Sequence, residues 1–217
     1  VNYQIDTLTL PPVFAEKIDF SKTEVKTLLT AGSEVKPSTV DKLKDQVNYY
    51  NAYGPTEDSI CSTIWEYVPY NGDSVPIGKP IPNHHVYILN SSNKIVPIGV
   101  PGELCISGEG VARGYINRET LTAEKFVINP YTKERMYRTG DLARWLEDGT
   151  IEYLGRVDDQ IKLRGFRIEL GEIENAIIEI PDIQDSVVLV EEDENGLYLV
   201  AYYTAENNIE ESEIRLI

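Results

Sequence analysis

Four segments of the chain carry side chains whose types and spacing could do chemistry. The first is Asn51-Ala52-Tyr53-Gly54-Pro55-Thr56-Glu57. Gly54-Pro55 forces a turn, and around it stand an amide, an aromatic ring, a hydroxyl and a carboxylate. An amide can read a base edge, an aromatic ring can stack on it, and a carboxylate can hold Mg²⁺. The segment follows an apolar, strand-like run, and the loops after strands are where an α/β sheet presents its ligand-binding groups. A polar turn after a strand is also ordinary, and taken alone the segment fits either description.

The second segment runs from Gly102 to Tyr115, Gly-Glu-Leu-Cys-Ile-Ser-Gly-Glu-Gly-Val-Ala-Arg-Gly-Tyr. Gly108, Gly110 and Gly114 suggest a dinucleotide fingerprint. The spacing is one residue too long, however, and no strand–helix–strand unit with a downstream acid surrounds it. Glycines that let strands bend are the better reading. The third segment, Tyr137-Arg138-Thr139-Gly140-Asp141-Leu142, sets a carboxylate beside a glycine. An aspartate so placed can accept ribose hydroxyls, and it can equally be an ordinary Asp-containing turn. The fourth, Gly155 to Glu174, gathers Arg156, Lys162, Arg164 and Arg167 in an otherwise acidic chain. Such a cluster suits phosphate or a phosphate-bearing arm, or it pairs internally with Glu169, Glu172 and Glu174.

The elements that must position these groups follow from pattern. Thr7–Leu10, Thr27–Thr30 and Val47–Tyr50 are strand-like, and a helix with Ser38 as cap and Val40 and Leu43 on its buried face lies between the last two. Strand, helix, strand in this rhythm predicts parallel pairing, an α/β layer reaching to about residue 70. From about residue 75 short strands are punctuated by Pro and Gly: Val86–Leu89, Ile95-Val96, Glu103–Ser107 and Ile151–Leu154, with turns at Pro101-Gly102 and Asp148-Gly149. This predicts an antiparallel or mixed sheet, a distorted barrel. Near Gly155 a third section begins. A helix from Leu170 to Ile180 carries Ile173, Ala176, Ile177 and Ile180 on one face, and Val187–Val190 and Leu197–Tyr203 form a hairpin about Asn195-Gly196. No internal repeat is present.

Composition narrows the classes of function. The 217 residues include 20 Lys and Arg against 36 Asp and Glu, a net charge of −16. A surface of that sign repels phosphate backbones and argues against a nucleic-acid partner. The acidic runs near Glu191 and Glu206 read as solvated faces. Cys61 and Cys105, the only cysteines, fit a reducing, cytoplasmic compartment and no disulfide framework. Two adjacent histidines, His84 and His85, read as surface or rim residues on a strand, not as metal ligands. No apolar run is long enough to span a membrane, and the first residues do not have the basic-then-apolar pattern of a leader.

In this order the four segments resemble the motif series of adenylation domains of nonribosomal peptide synthetases, over nearly the whole chain. The resemblance implies an α/β fold in which residues 1–156 are the later part of the large adenylation subdomain. Residues 157–217 would then be an incomplete small subdomain, with the hinge at Asp158. It implies that Tyr53 stacks on adenine, Asn51 contacts its amino edge with Ala52 and Gly54 beside it, and Asp141 binds the ribose hydroxyls with Tyr153 and Arg156 nearby. Thr56 would stand by the α-phosphate, Glu57 would hold Mg²⁺, and Gly165 would line the tunnel for a phosphopantetheine arm. Positions matching the family's side-chain pocket are Thr9, Leu29, Ala31, Ala52, Ile60 and Cys61. They are small or apolar and resemble the pocket of phenylalanine-activating members, so an aromatic amino acid is the expected substrate.

The implied reactions are formation of aminoacyl-AMP and pyrophosphate from ATP, then thioester loading onto a carrier domain beside neighbouring synthetase domains. The family's Gly/Ser/Thr-rich phosphate loop would lie before Val1 and its catalytic lysine after Ile217, so the chain alone is expected to be inactive. Competing readings are an acyl-CoA ligase or D-alanine–carrier-protein ligase of the same superfamily, and a nucleotide-binding or docking fragment without turnover.

Overall fold

The computed structural model describes residues 4–70, 72–158, 160–163, 166–193, 196–207 and 209. The chain divides into two compact units, one ending at Val157 and one beginning at Asp158.

The first unit opens with β1 (Thr7–Leu10), the single-turn α1 (Pro12–Ala15), β2 (Thr27–Thr30), α2 (Pro37–Leu43) and β3 (Asn48–Tyr53). β1 pairs with β2, and β2 with β3, all parallel, as the strand–helix–strand rhythm predicts. β4 (Thr63–Glu66) and the two-residue β5 (Lys79–Pro80) extend the sheet antiparallel to give the order β1-β2-β3-β4-β5. Helix α2 starts two residues earlier than the Ser38 cap implies. Lys36 is its N-cap with no side-chain hydrogen bond, and Pro37 takes the first helical position. A proline ring fixes the φ a helix start needs and has no N–H to satisfy, so Ser38 is displaced into the first turn. Val40 and Leu43 are buried as expected, beside Phe20, Leu28, Val35, Tyr49 and Trp65.

The second sheet comprises β6 (His84–Leu89), β7 (Gly102–Gly108), β8 (Phe126–Ile128), β9 (Arg135–Trp145) and β10 (Ile151–Arg156), with α3 (Glu119–Lys125) before β8. Its order is β10-β9-β7-β6 with β8 on β9, all antiparallel, a curled half-barrel. Ile95-Val96 makes only an isolated bridge to β6, through Ile95 and Leu89. Gly102 belongs to β7 and not to a turn, whereas Asp148-Gly149 lies in the β9–β10 turn, closed by Leu146 N on Thr150 O at 2.8 Å. Ile88, Leu104, Ile106, Ala143 and Ile151 fill the core of this sheet.

The second unit contains β11 (Gln160–Leu163), β12 (Phe166–Glu169), α4 (Leu170–Ile178), β13 (Ile183–Asp193) and β14 (Gly196–Ala205). Helix α4 stops two residues before Ile180 because Pro181 cannot continue it. Ile173 and Ile177 of α4 pack with Val188, Val190 and Leu199, while Ala176 is only half-buried. Asp193 pairs with Gly196, so Gly196 opens β14; Asn195 of the expected turn lies outside the described residues.

Candidate active site

Two departures from regular structure bring the candidate residues into place. The first is a bulge in β9. Leu142 pairs with Glu103 while Arg138 pairs with Cys105, so β9 carries extra residues between these pairs. Gly140 takes φ +73° there, the left-handed region in which a glycine costs nothing. Tyr137 to Leu142 is therefore a bulged strand segment and not an Asp-containing turn. Glu103 seats it from β7. Its carboxylate accepts Arg138 Nε at 3.0 Å and Gly140 N at 3.2 Å. Thr139 Oγ1 donates to Leu104 O at 2.7 Å and accepts Asp141 N at 2.9 Å.

The bulge directs the buried Asp141 carboxylate to two donors. Arg156 lies directly opposite on β10, past a second irregularity of register, and its guanidinium meets Asp141 Oδ1 at 2.6 Å. The Tyr53 hydroxyl donates to Asp141 Oδ2. Burial and then the adjacent Asp141 carboxylate push the Tyr53 phenol well above the ordinary tyrosine range, so it stays a donor. Tyr153 stands 6.3 Å from Tyr53, ring centre to ring centre, tilted by 37°. Four residues from three strands thus meet: Tyr53, Asp141, Tyr153 and Arg156.

The second departure is the loop from Gly54 to Cys61 that follows β3. A side chain at Gly54 would collide with the backbone of Ile60 and Cys61, so only glycine lets the loop fold back onto its start. Thr56 is exposed, whereas Glu57 is buried and accepts the Tyr115 hydroxyl at 2.5 Å. Ala112 N donates to Glu57 O at 2.8 Å. The segment Val111–Tyr115 thereby serves as a support for Glu57. Burial, followed by the Glu57 carboxylate, raises the Tyr115 phenol well above its usual range and keeps it a donor. Asn51 uses its amide to donate to Pro76 O at 2.9 Å.

Three of the candidate pocket positions share one face of the first sheet. Thr9 pairs with Leu29 across β1 and β2, and Leu29 with Tyr50 across β2 and β3. With Ala52 two residues beyond Tyr50, these lie on the sheet face opposite Leu28, Thr30 and Tyr49. Ala31 follows β2 and donates its N–H to Leu10 O at 3.3 Å. Ile60 departs from an enclosed wall position: its side chain is 93 % exposed and its φ is +59°. Cys61 is half-buried, its thiol raised by burial and then by Asp58. Gly165 lies outside the described residues. Asp158 is the first residue of the second unit, and its carboxylate accepts Gln160 N at 3.4 Å.

His84 corrects the sequence reading. Its side chain is buried, not at a rim, because Asp58 pairs with its Nε2 at 3.1 Å. His85 is exposed. Asp58 and His84, outside the four segments, and Glu103, Tyr115 and Thr139, inside them but given no role by the sequence, all position the site. Their only signal is membership of the motifs or proximity to them; the cross-chain partners are 26 to 58 residues apart. Among the described residues no cluster of three or more His, Cys, Asp or Glu could hold a metal, and no helix is long and apolar enough to cross a membrane.

The family described as AMP-binding enzyme matches residues 2–116, just over half the chain. The chain belongs to the AMP-binding enzyme family. It is 51 % identical over 218 residues to tyrocidine synthase 1 of Brevibacillus parabrevis, covering 98 % of this chain and 20 % of that protein. It is 46 % identical over 216 residues to gramicidin S synthase 1 of Brevibacillus brevis, with 98 % and 20 % covered. The chain therefore spans about a fifth of the length of these relatives. Among solved structures it resembles an NRPS protein containing adenylation and PCP domains, bound to a vinylsulfonamide inhibitor. That match has a TM-score of 0.86 and 29 % identity, over 96 % of this chain and 38 % of the other. A second resemblance is to an artificially fused adenylation–PCP di-domain NRPS from Klebsiella oxytoca, at TM-score 0.82 and 26 % identity, covering 98 % and 42 %.

Proposed function

We propose that the chain supplies the nucleoside end of an amino-acid-adenylating site within a longer peptide synthetase. The observation that carries this reading is the meeting of Tyr53, Asp141 and Arg156, drawn from three strands, in a chain of this family. Asp141 is the ribose acceptor. A carboxylate accepts about four hydrogens, so two ribose hydroxyls join or replace the Tyr53 and Arg156 donors. Arg156 pairs with the carboxylate and keeps it aligned. The Tyr53 ring, with Tyr153 beside it, borders the base, and its hydroxyl orients Asp141. Asn51 stands one pleat away, next to the amino edge of adenine, with Ala52 and Gly54 alongside.

Thr56 lies on the phosphate side of the loop. Glu57 is the side chain suited to Mg²⁺: one fixed carboxylate, with the remaining positions filled by phosphate oxygens and water, is the usual way this ion is held. When bound, Mg²⁺ neutralises developing charge on the triphosphate. The protein's contribution is placement. Tyr115 and Ala112 hold Glu57, and the β9 bulge holds Asp141, before substrate arrives.

The amino-acid pocket in this reading is the β1–β3 face bearing Thr9, Leu29, Ala31 and Ala52, closed by Cys61, with the exposed Ile60 outside it. With no charge in the set, the side chain bound is apolar, and two alanines leave depth for a ring, which favours phenylalanine or another aromatic amino acid. The acyl group passes from the adenylate to the phosphopantetheine thiol of a carrier domain. Asp158 is the hinge at the junction of the units, and Gly165 lies by the arm.

The test is amino-acid-dependent ATP–pyrophosphate exchange by the synthetase that carries this segment, across the twenty amino acids. An aromatic preference is expected. A preference for a charged or very small amino acid would refute the pocket assignment, and absence of exchange with any amino acid would refute adenylation.

A further inference from the structure

Ile60 is a β-branched residue in the left-handed region with its side chain almost wholly in solvent. Nothing its own side chain touches accounts for that conformation, so the surrounding structure must impose it. The neighbouring Asp58 is what ties the loop down. Its carboxylate accepts Ser59 N at 2.9 Å, Ser62 Oγ at 2.6 Å and His84 Nε2 at 3.1 Å. The Asp58 side chain is 0 % exposed and that of His84 7 %.

The other ring nitrogen, His84 Nδ1, lies 3.1 Å from Pro82 O. Both nitrogens face oxygen acceptors. A ring protonated on both makes two hydrogen bonds, and either neutral tautomer makes one. Gly110 closes the cluster from the far side. A Cβ there would strike Asp58 Oδ1 and His84 Nε2, and Gly110 O accepts Ser59 Oγ at 3.3 Å. The glycine is thus required because the pair occupies the space, and not because a strand bends.

We infer that Asp58 and His84 form a positioning clamp that fixes the 58–62 segment, and with it Ile60 and Cys61, against the start of β6. The inference rests on the adenylation reading for its functional consequence, because Cys61, next to Ile60 in the clamped segment, is there the closing residue of the amino-acid pocket. Glu57 is held separately, by Tyr115 and Ala112. Loosening the clamp should therefore disturb the amino acid more than the nucleotide.

The experiment has two arms. On the chain itself, amide hydrogen exchange is followed in wild type, His84→Ala, His84→Gln and Gly110→Ala. The alanine at 84 removes a charged hydrogen bond, so the Ser59, Cys61 and Ser62 amides should exchange about tenfold faster while those of Leu28 and Leu29 do not change. Gln restores an N–H toward Asp58 and should recover most of the protection. Gly110→Ala forces the pair apart with both side chains kept, and should reproduce the loosening even where His84→Ala fails to fold. In the synthetase, His84→Ala and Gly110→Ala should raise the amino-acid KM about fivefold with the ATP KM changed less than about twofold, and Gln should rescue.

Unchanged exchange of the three amides in either folded variant overturns the clamp. Faster exchange with an unchanged amino-acid KM overturns its link to the pocket. A wild-type synthetase without amino-acid-dependent exchange refutes the adenylation reading and leaves the clamp, measured on the chain alone, standing.

Discussion

The loop after β3 and the bulge in β9 both abandon regular structure to place a carboxylate, and they are stabilised by opposite means. In the bulge, the left-handed position is given to Gly140, and Thr139 and Glu103 accept hydrogen bonds from the displaced backbone. In the loop, the left-handed position falls on Ile60, and a buried carboxylate–imidazole pair several atoms away holds it. The bulge is relaxed, because its left-handed residue is a glycine, although it too leans on a neighbouring strand through Glu103. The loop is strained and depends on a partner from another strand. Strain of this kind gathers where a site needs a fixed shape that the chain would not otherwise choose.

Replacing Asp141 should have the largest effect. It removes the carboxylate that meets Arg156 and accepts the Tyr53 hydroxyl, and Asp141→Ala should lower stability by about 2–3 kcal/mol in chemical denaturation. A loss under about 1 kcal/mol would mean the bulge does not depend on the charge it presents. Next is Gly140→Ala, which puts a Cβ at φ +73° and should cost about 1–2 kcal/mol, with the denaturant slope unchanged. The loop should respond in the opposite sense. Asn tolerates the left-handed region, and Ile60 buries almost nothing, so Ile60→Asn should stabilise the chain by about 0.5–1 kcal/mol. Destabilisation would show that Ile60 packs and that the two segments are alike.

A smaller effect belongs to Glu152, on the β10 side of the second sheet. Burial alone would raise its carboxyl, but hydrogen bonds from Ser74 and Arg144 outweigh burial and hold it below the ordinary range. A depressed folded value contributes stability above the unfolded glutamate range, lost as pH falls through the folded value. Glu152→Gln should flatten the acid limb of the stability–pH curve, by well under about 1 kcal/mol because Arg144 is 40 % exposed.

The difference between the two segments also explains what could be read from sequence. The parallel β1–β2–β3 layer, the buried Val40 and Leu43, and the long hairpin of β13 and β14 were legible because apolar periodicity and turn residues act locally. Asp141 could be singled out by its motif, but the bulge that aims it could not, because a register shift is a property of two strands. His84 was misread for the same reason. A histidine beside another on a strand reads as a rim residue until Asp58, 26 positions away, is seen against it. Ser38 lost its cap role to a local rule, the preference of Pro37 for the first helical position.

The most direct test of the account is a thermodynamic cycle on Asp141 and the ribose. ATP and 2′-deoxy-ATP are titrated calorimetrically into the synthetase that carries this segment and into its Asp141→Asn variant. If Asp141 accepts the ribose hydroxyls, wild type should lose about 1–3 kcal/mol on going from ATP to the deoxy nucleotide, and the variant should lose much less. Equal losses in the two proteins, or unchanged ATP affinity in the variant, would contradict the assignment of the β9 bulge to the nucleotide.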